Sequence, residues 1–160
     1  MVDITASLER MGLTLPQVVP PVAAYRPAVV SGTYVYVSGQ LPIVEGELVE
    51  TGKVGAEVSP ERAYELARTC ALNGLAAALS VAPKHGISRI VKVVGFVASA
   101  PGFSGQPGVV NGASEFLGEV LGGAGEHARS AVGVSELPLN APVEVELIAE
   151  TAPTAKVVPV

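Results

Sequence analysis

HARSAVGVSELPLNAPVEVELIAE, residues 127–150, decides how the rest of the chain is read. Two alternating runs rich in valine flank a segment with Pro and Asn, which is the pattern of a β-hairpin. Yet Arg129 stands in the first run, and Glu144 and Glu146 stand in the second. A charge inside a strand that otherwise reads as sheet interior must be solvated, paired or lodged in a pocket. Arg129 alternates with Ala131 and Gly133, so its neighbours on that face are small. Small neighbours leave space before the guanidinium, and an open fork of this kind suits a bidentate carboxylate. The competing reading is an ion pair from Arg129 to Glu144 or Glu146 across the hairpin. Glu144, Glu146 and Ile148 fall on one face of the second run.

Upstream of the hairpin, QPGVVNGASEFLGEVLG reads as a helix beginning near Pro107. Val110, Ala113, Leu117, Val120 and Leu121 form its core face, and Asn111, Glu115 and Gly118 lie opposite. The segment GGAG, Gly122 to Gly125, follows that helix and stops it. ISRIVKVVGFVASA, from Ile87, is apolar on both faces, which predicts a central strand. Ser59 and Pro60 open the clearest helix, with Ser as N-cap and Pro at the first position, running to about Val81. Its stripe of Ala63, Ala67, Cys70, Gly74 and Ala77, with Leu66 beside it, allows close approach to a sheet. AVVSGTYVYVSGQLP gives two strands around Ser31–Thr33. Tyr34, Tyr36, Ser38 and Gln40 are placed on one face, and Val35, Val37, Gly39 and Leu41 on the other. The segment 44–56 reads as an exposed loop or small hairpin. Asp3 caps a short N-terminal helix through Arg10, and a Pro-rich arm follows it.

The element order is two strands, helix, strand, helix, two strands. It predicts an α+β fold, one domain over 1–160, with a single sheet and two main helices on one face. Residues 1–24 are the N-terminal helix and arm, and 151–160 a tail. The other sheet face then needs cover. Charged residues make up only 16% of the chain against 49% hydrophobic, so a second copy of the chain is the expected cover.

Net charge is −5, and the ten Lys and Arg are scattered singly, which argues against nucleic acid as a partner. One cysteine excludes an internal disulfide, and neither a membrane span nor a secretory signal is expected. These features predict a cytoplasmic protein. With one Cys and two His there is no metal-ligand spacing, and neither a phosphate loop nor a nucleophile elbow is present. Cys70 reads as a buried core thiol. His85 reads as a turn residue. His127, two residues before Arg129, is a candidate for the same site, the alternative being a surface residue at the strand start.

The stretches AAYRPAVVSGTYVYVSGQLP, ARTCALNGLAAAL, VKVVGFVASAPGF, VVNGASEFLGEV and the hairpin itself resemble, in order, the Rid family of reactive-intermediate deaminases, also called YjgF-like. The chain looks like its longer subgroup, whose members carry provisional endoribonuclease names. The resemblance implies a chorismate-mutase-like mixed sheet and a homotrimer with sites in the clefts between subunits. It also implies hydrolysis of 2-aminoacrylate and related enamines or imines to 2-keto acids and ammonia, without cofactor or metal. By the resemblance, Arg129 grips the substrate carboxylate, Glu144 stands near the attacking water, Asn111 and Ser38–Gly39 line the site, and Tyr25 closes it.

The sequence departs from the short members of the family. Ala131 stands where they usually have Cys, and Gly133 replaces a larger residue. The N-terminal helix, the segment 44–56 and the link from Ser99 to Gln106 are additions. These departures bear on the substrate more than on the carboxylate site. Pairing with Arg129 would favour ionised Glu144. A non-catalytic trimer that senses small acids is a second reading. An endoribonuclease is a third, weakened by the absence of a basic run. A chorismate mutase is suggested by fold alone, which does not carry function.

Overall fold

The computed structural model describes residues 2–18, 24–82 and 86–151. Helix α1 spans Ile4–Arg10, with the Asp3 carboxylate accepting from the Ala6 N–H at 3.0 Å. Strands β1 (Ala28–Ser31) and β2 (Tyr34–Gln40) form a hairpin about Gly32, whose φ of 61° calls for glycine. Strands β3 (Ile43–Val44) and β4 (Glu47–Leu48) make a small separate hairpin, turning at Glu45 and Gly46, both with positive φ. Helix α2 (Pro60–Val81) begins at Ser59, whose hydroxyl accepts from the Arg62 N–H at 3.1 Å. Strand β5 (Ile87–Ala98), helix α3 (Gln106–Leu121), strand β6 (Ala128–Val134) and strand β7 (Val143–Thr151) complete the chain. Between α3 and β6 the segment Gly122–Gly125 forms a single 3-10 turn, as its position after the helix implies. Residues 19–23, residues 83–85 with His85, and residues 152–160 lie outside the described residues. Thr151 is not tail: it ends β7, buried, with its N–H donating to Thr33 O at 2.8 Å.

The main sheet is mixed, in the order β1-β2-β7-β5-β6. This order corrects the reading of residues 127–150 as a hairpin. Strands β6 and β7 do run antiparallel, but β5 lies between them, parallel to β6 and antiparallel to β7. Because β5 is apolar on both faces, it takes the interior position, and α3 carries the chain over from it to β6. The link 135–142 must therefore pass the end of β5, crossing about 9–10 Å between strands two places apart. It does so through Leu139 and Asn140 in left-handed conformation, anchored by the Gly52 N–H donating to Asn140 O at 2.9 Å and by Lys53 paired to Glu136 at 2.8 Å.

Helices α2 and α3 cover one face of the sheet. Val35, Val37, Val93, Val97, Val143, Val145, Leu147 and Ala149 are buried beneath them. The opposite face leaves Val29, Tyr34, Tyr36 and Val132 at 45%, 40%, 42% and 45% exposure. The alternation assigned to β2 holds only as far as a bulge: pairing with β7 shifts between Val37 and Gln40. Gln40 consequently pairs with the buried Val145 and turns its side chain toward α2, contrary to its placement beside the tyrosines. The segment 44–56 is also less exposed than its composition implies. Gly52 and Val54 are buried, Val54 bonds Ala98 and Ala100 through its backbone, and Phe103 of the 99–106 link lies against Gly55. The two added segments thus pack on each other at the end of β5.

Close approach is the rule beneath the sheet. The small stripe of α2 is fully buried, and a Cβ at Gly74 would come within 2.9 Å of Leu147. Between the helices a Cβ at Gly112 would lie 2.0 Å from the Tyr64 carbonyl oxygen, a backbone atom that cannot swing aside. The Tyr64 hydroxyl donates to Glu115 at 2.6 Å, Arg68 pairs with Glu119, and the Arg68 guanidinium sits 4.9 Å over Phe116. Gly112→Ala is therefore expected to destabilise by about 1–3 kcal/mol in urea titrations. Gly118→Ala on the same helix, with nothing within 4 Å of its Cβ, is expected to stabilise by about 0.5–1 kcal/mol.

Candidate functional site

Arg129 stands on β6, an edge strand, in register with Val93 of β5. Val93 is buried under the helices, so Arg129 projects to the helix side and reaches α3. Its Nη1 donates to Asn111 Oδ1 at 2.7 Å and to Ser114 Oγ at 3.2 Å. Ala131 and Gly133 follow on the same side, so the small face read from the sequence is real. Among the described residues no carboxylate lies within salt-bridge distance of Arg129. The ion pair to Glu144 or Glu146 does not form, since β5 separates the strands. Asn111 sits on the polar side of α3, as its helical position predicts.

Glu144 belongs to a second cluster. It pairs with Phe96 in the register of β7 with β5, which places it on the face away from the helices, in line with Glu146, Ile148 and Glu150. Its carboxylate lies across the β2 bulge: a Cβ on Gly39 would sit 1.7 Å from Oε1, so glycine at 39 is what lets the carboxylate rest there. Ser38 ties the Tyr25 end of the arm to this point, its hydroxyl donating to Arg26 O at 2.6 Å and its N–H to Pro27 O at 2.9 Å. Tyr25 itself is 54% exposed. Burial, with the neighbouring Glu146 charge adding to it, raises the Glu144 pKa above the usual carboxylate value. An ionised Glu144 stabilised by Arg129 is thus not what a single chain builds.

The residues singled out from the sequence fall into two groups. Arg129 and Asn111 meet at the β6–α3 edge; Glu144, Gly39, Ser38 and the Tyr25 segment meet at the β2–β7 bulge. The groups lie on opposite faces of the sheet with β5 between their strands. A cavity of about 310 Å³ on the uncovered face, lined by Arg26, Tyr36, Lys92, Glu146 and Ile148, adjoins Ser38 without including Arg129. Ser114 was not among the sequence candidates. Its signal was helical spacing, since it stands three residues after Asn111 on the same face of α3. His127 is bound behind it, with Nε2 3.0 Å from Ser114 Oγ. Cys70 is buried, its thiol 3.8 Å from Val143 O and its pKa driven well up by burial, as suits a core residue.

The sequence and fold have known counterparts. A family model described as Endoribonuclease L-PSP matches residues 15–151. Protein Atu1372 of Agrobacterium tumefaciens, of unknown function, is 44% identical, with 94% of each chain covered and a TM-score of 0.83. A Shewanella oneidensis protein with a provisional endoribonuclease name is 30% identical, covering 92% of this chain and 98% of its own, with a TM-score of 0.85. Protein TCP17 of Trypanosoma cruzi is 40% identical over 92% of this chain and 93% of its own length. With the model spanning both site clusters, the two helices and every strand of the main sheet, the chain belongs to the endoribonuclease L-PSP family, which is the YjgF or Rid family.

Proposed function

We propose that the protein hydrolyses small enamines or imines bearing a carboxylate, of the 2-aminoacrylate type, to 2-keto acids and ammonia, in clefts formed between the subunits of a homotrimer. The observation that carries this reading is Arg129, held by two neutral acceptors and meeting no carboxylate among the described residues. A guanidinium fixed in this way has its charge left for a ligand, and a carboxylate offers the matching pair of oxygens. The trimer is supported by the uncovered sheet face with its tyrosines and valines. It is supported also by the separation of the two clusters, which one chain cannot bring to a single small substrate.

The chemistry asks little of the protein. The enamine tautomerises to an imine, whose carbon is already electrophilic. Water adds to the carbon of the imine, protonated at nitrogen, while Glu144 takes one of the water's protons, giving a neutral carbinolamine. Glu144 returns that proton to nitrogen, and as the C–N bond breaks it accepts the hydroxyl proton, releasing ammonia and leaving the keto acid. A carboxyl with a raised pKa suits both halves of this transfer, since it binds a proton more readily than an exposed carboxylate does. Positioning by Arg129 supplies the rest. A small-acid sensor would use the same arginine and dispense with Glu144. RNA cleavage is less well supported: the chain has a net charge of −5 and its Lys and Arg are scattered singly, with Lys53, Arg62 and Arg68 each paired to a glutamate.

Arg129→Ala is expected to lower kcat/KM for 2-aminoacrylate about thirtyfold to several-thousandfold, with Lys restoring only part of it, since an ammonium cannot make two parallel bonds. Thermal melts should show the fold intact; wild-type turnover by a well-folded Arg129→Ala protein would exclude the role.

Gly39→Ala should likewise preserve the fold, because the nearest atoms to its Cβ belong to the movable side chain of Glu144, while displacing that carboxylate and lowering kcat.

Glu144→Gln should lower kcat by about 10²–10⁴-fold. It also has a stability signature. The Glu144 pKa is higher folded than unfolded, so ionisation opposes folding above the folded value and has no such effect below the unfolded one. Glu144→Gln should therefore raise Tm at neutral pH, and the gain should vanish below about pH 4.

A further inference from the structure

We infer that Ser114 and His127 are positioning residues that set which edge of the Arg129 guanidinium faces the substrate; this rests on the carboxylate-binding reading of Arg129. The hydrogen bonds form a directed chain. His127 Nδ1 lies 2.6 Å from Gly125 O. A carbonyl only accepts, so Nδ1 carries the proton, and in the neutral ring Nε2 is left as an acceptor. Ser114 Oγ, 3.0 Å from Nε2, then donates its proton to the ring. With that proton committed, the oxygen's lone pairs face Arg129, whose Nη1 donates to it at 3.2 Å. Asn111 takes the second bond from the same nitrogen at 2.7 Å, and it must present Oδ1, since a guanidinium has no acceptor.

The consequence lies in the count of donors. Nη1 carries two hydrogens, and Asn111 and Ser114 take both. The edge formed by Nε–H and Nη2–H is left for the ligand, and its two parallel donors match the two oxygens of a carboxylate side-on. Without Ser114, Nη1 keeps one fixed bond and the planar group can turn about its last torsion. Without a ring acceptor at His127, the Ser114 hydroxyl can turn its proton toward Arg129 and cease to accept from it. The 3-10 turn Gly122–Gly125 then has a use beyond ending α3. It brings the Gly125 carbonyl under His127, and a Cβ at Gly125 would lie 2.3 Å from Leu117 O, so the turn is packed directly onto the helix that carries Ser114.

The test compares Ser114→Ala, Ser114→Thr, His127→Asn and His127→Gln with the wild type and with Arg129→Ala. Steady-state kinetics would be run on 2-aminoacrylate, and pyruvate binding measured by calorimetry. Ser114→Ala and His127→Asn, the latter keeping a donor for Gly125 but nothing at the Nε2 position, should raise KM and weaken pyruvate binding by about tenfold. Their kcat should stay within about twofold, because Glu144 and its water are untouched. Ser114→Thr restores a hydroxyl and His127→Gln restores an acceptor, so both should recover most of the affinity. Lower Tm with unchanged KM and pyruvate affinity in Ser114→Ala and His127→Asn would mean a structural role only and overturn the inference, as would failure of the Thr and Gln variants to recover. A wild type that binds pyruvate without turnover would overturn the hydrolase reading alone, with the inference still read from the variants' pyruvate affinities. Unchanged pyruvate binding in Arg129→Ala would overturn both.

Discussion

The insertion of β5 between β6 and β7 is the constraint on which the rest of the structure depends. A strand that is apolar on both faces has no stable place at an edge, and once it is central, its successor β6 becomes the edge and β7 must cross to its far side. That crossing separates Arg129 from Glu144. It also turns them to different faces, because Arg129 shares a row with Val93 and Glu144 shares one with Phe96. Each side chain is then held locally. Arg129 is fixed by α3, which is itself the connection that the parallel β5–β6 pair requires, and Glu144 rests on the bulge at Gly39.

Elements with a strong local cause were legible. Ser59–Pro60 marks the start of α2 because its hydroxyl and ring act on the adjacent turn, and the buried stripe of α2 follows from a period that small residues make unmistakable. The helix stop at Gly122–Gly125 and the cap at Asp3 are of the same kind. What local pattern could not carry was partner choice between strands. Two alternating runs joined by a Pro-containing segment look alike whether they pair or straddle a third strand; the length of the link 135–142, generous for a hairpin, was the available hint. The β2 bulge was invisible for a related reason. Alternation predicts the face of Gln40 only if no residue is inserted, and the insertion at Ser38–Gly39 is there to make room for a carboxylate from another strand.

The site shows the same division. Arg129 announced itself through its small neighbours, and Asn111 through the polar side of α3. Glu144 was legible as a carboxylate that needed an explanation. Within one chain burial and Glu146 raise its pKa; the arginine partner that would lower it belongs to a neighbouring subunit under the proposed assembly. Ser114 and His127 have no meaning until the glycine turn and α3 are folded together, since each acts through an atom supplied by a different segment.

If the two clusters act on one substrate, they must come from different subunits, and mixed trimers test this directly. Arg129→Ala and Glu144→Gln subunits, each defective alone, would be combined by co-expression with distinct tags and the mixed trimers purified. A site that takes its arginine from one subunit and its glutamate from a neighbour around the ring should reappear once in every mixed trimer, giving roughly a third of wild-type turnover. Mixed trimers that form but recover no turnover would contradict the account.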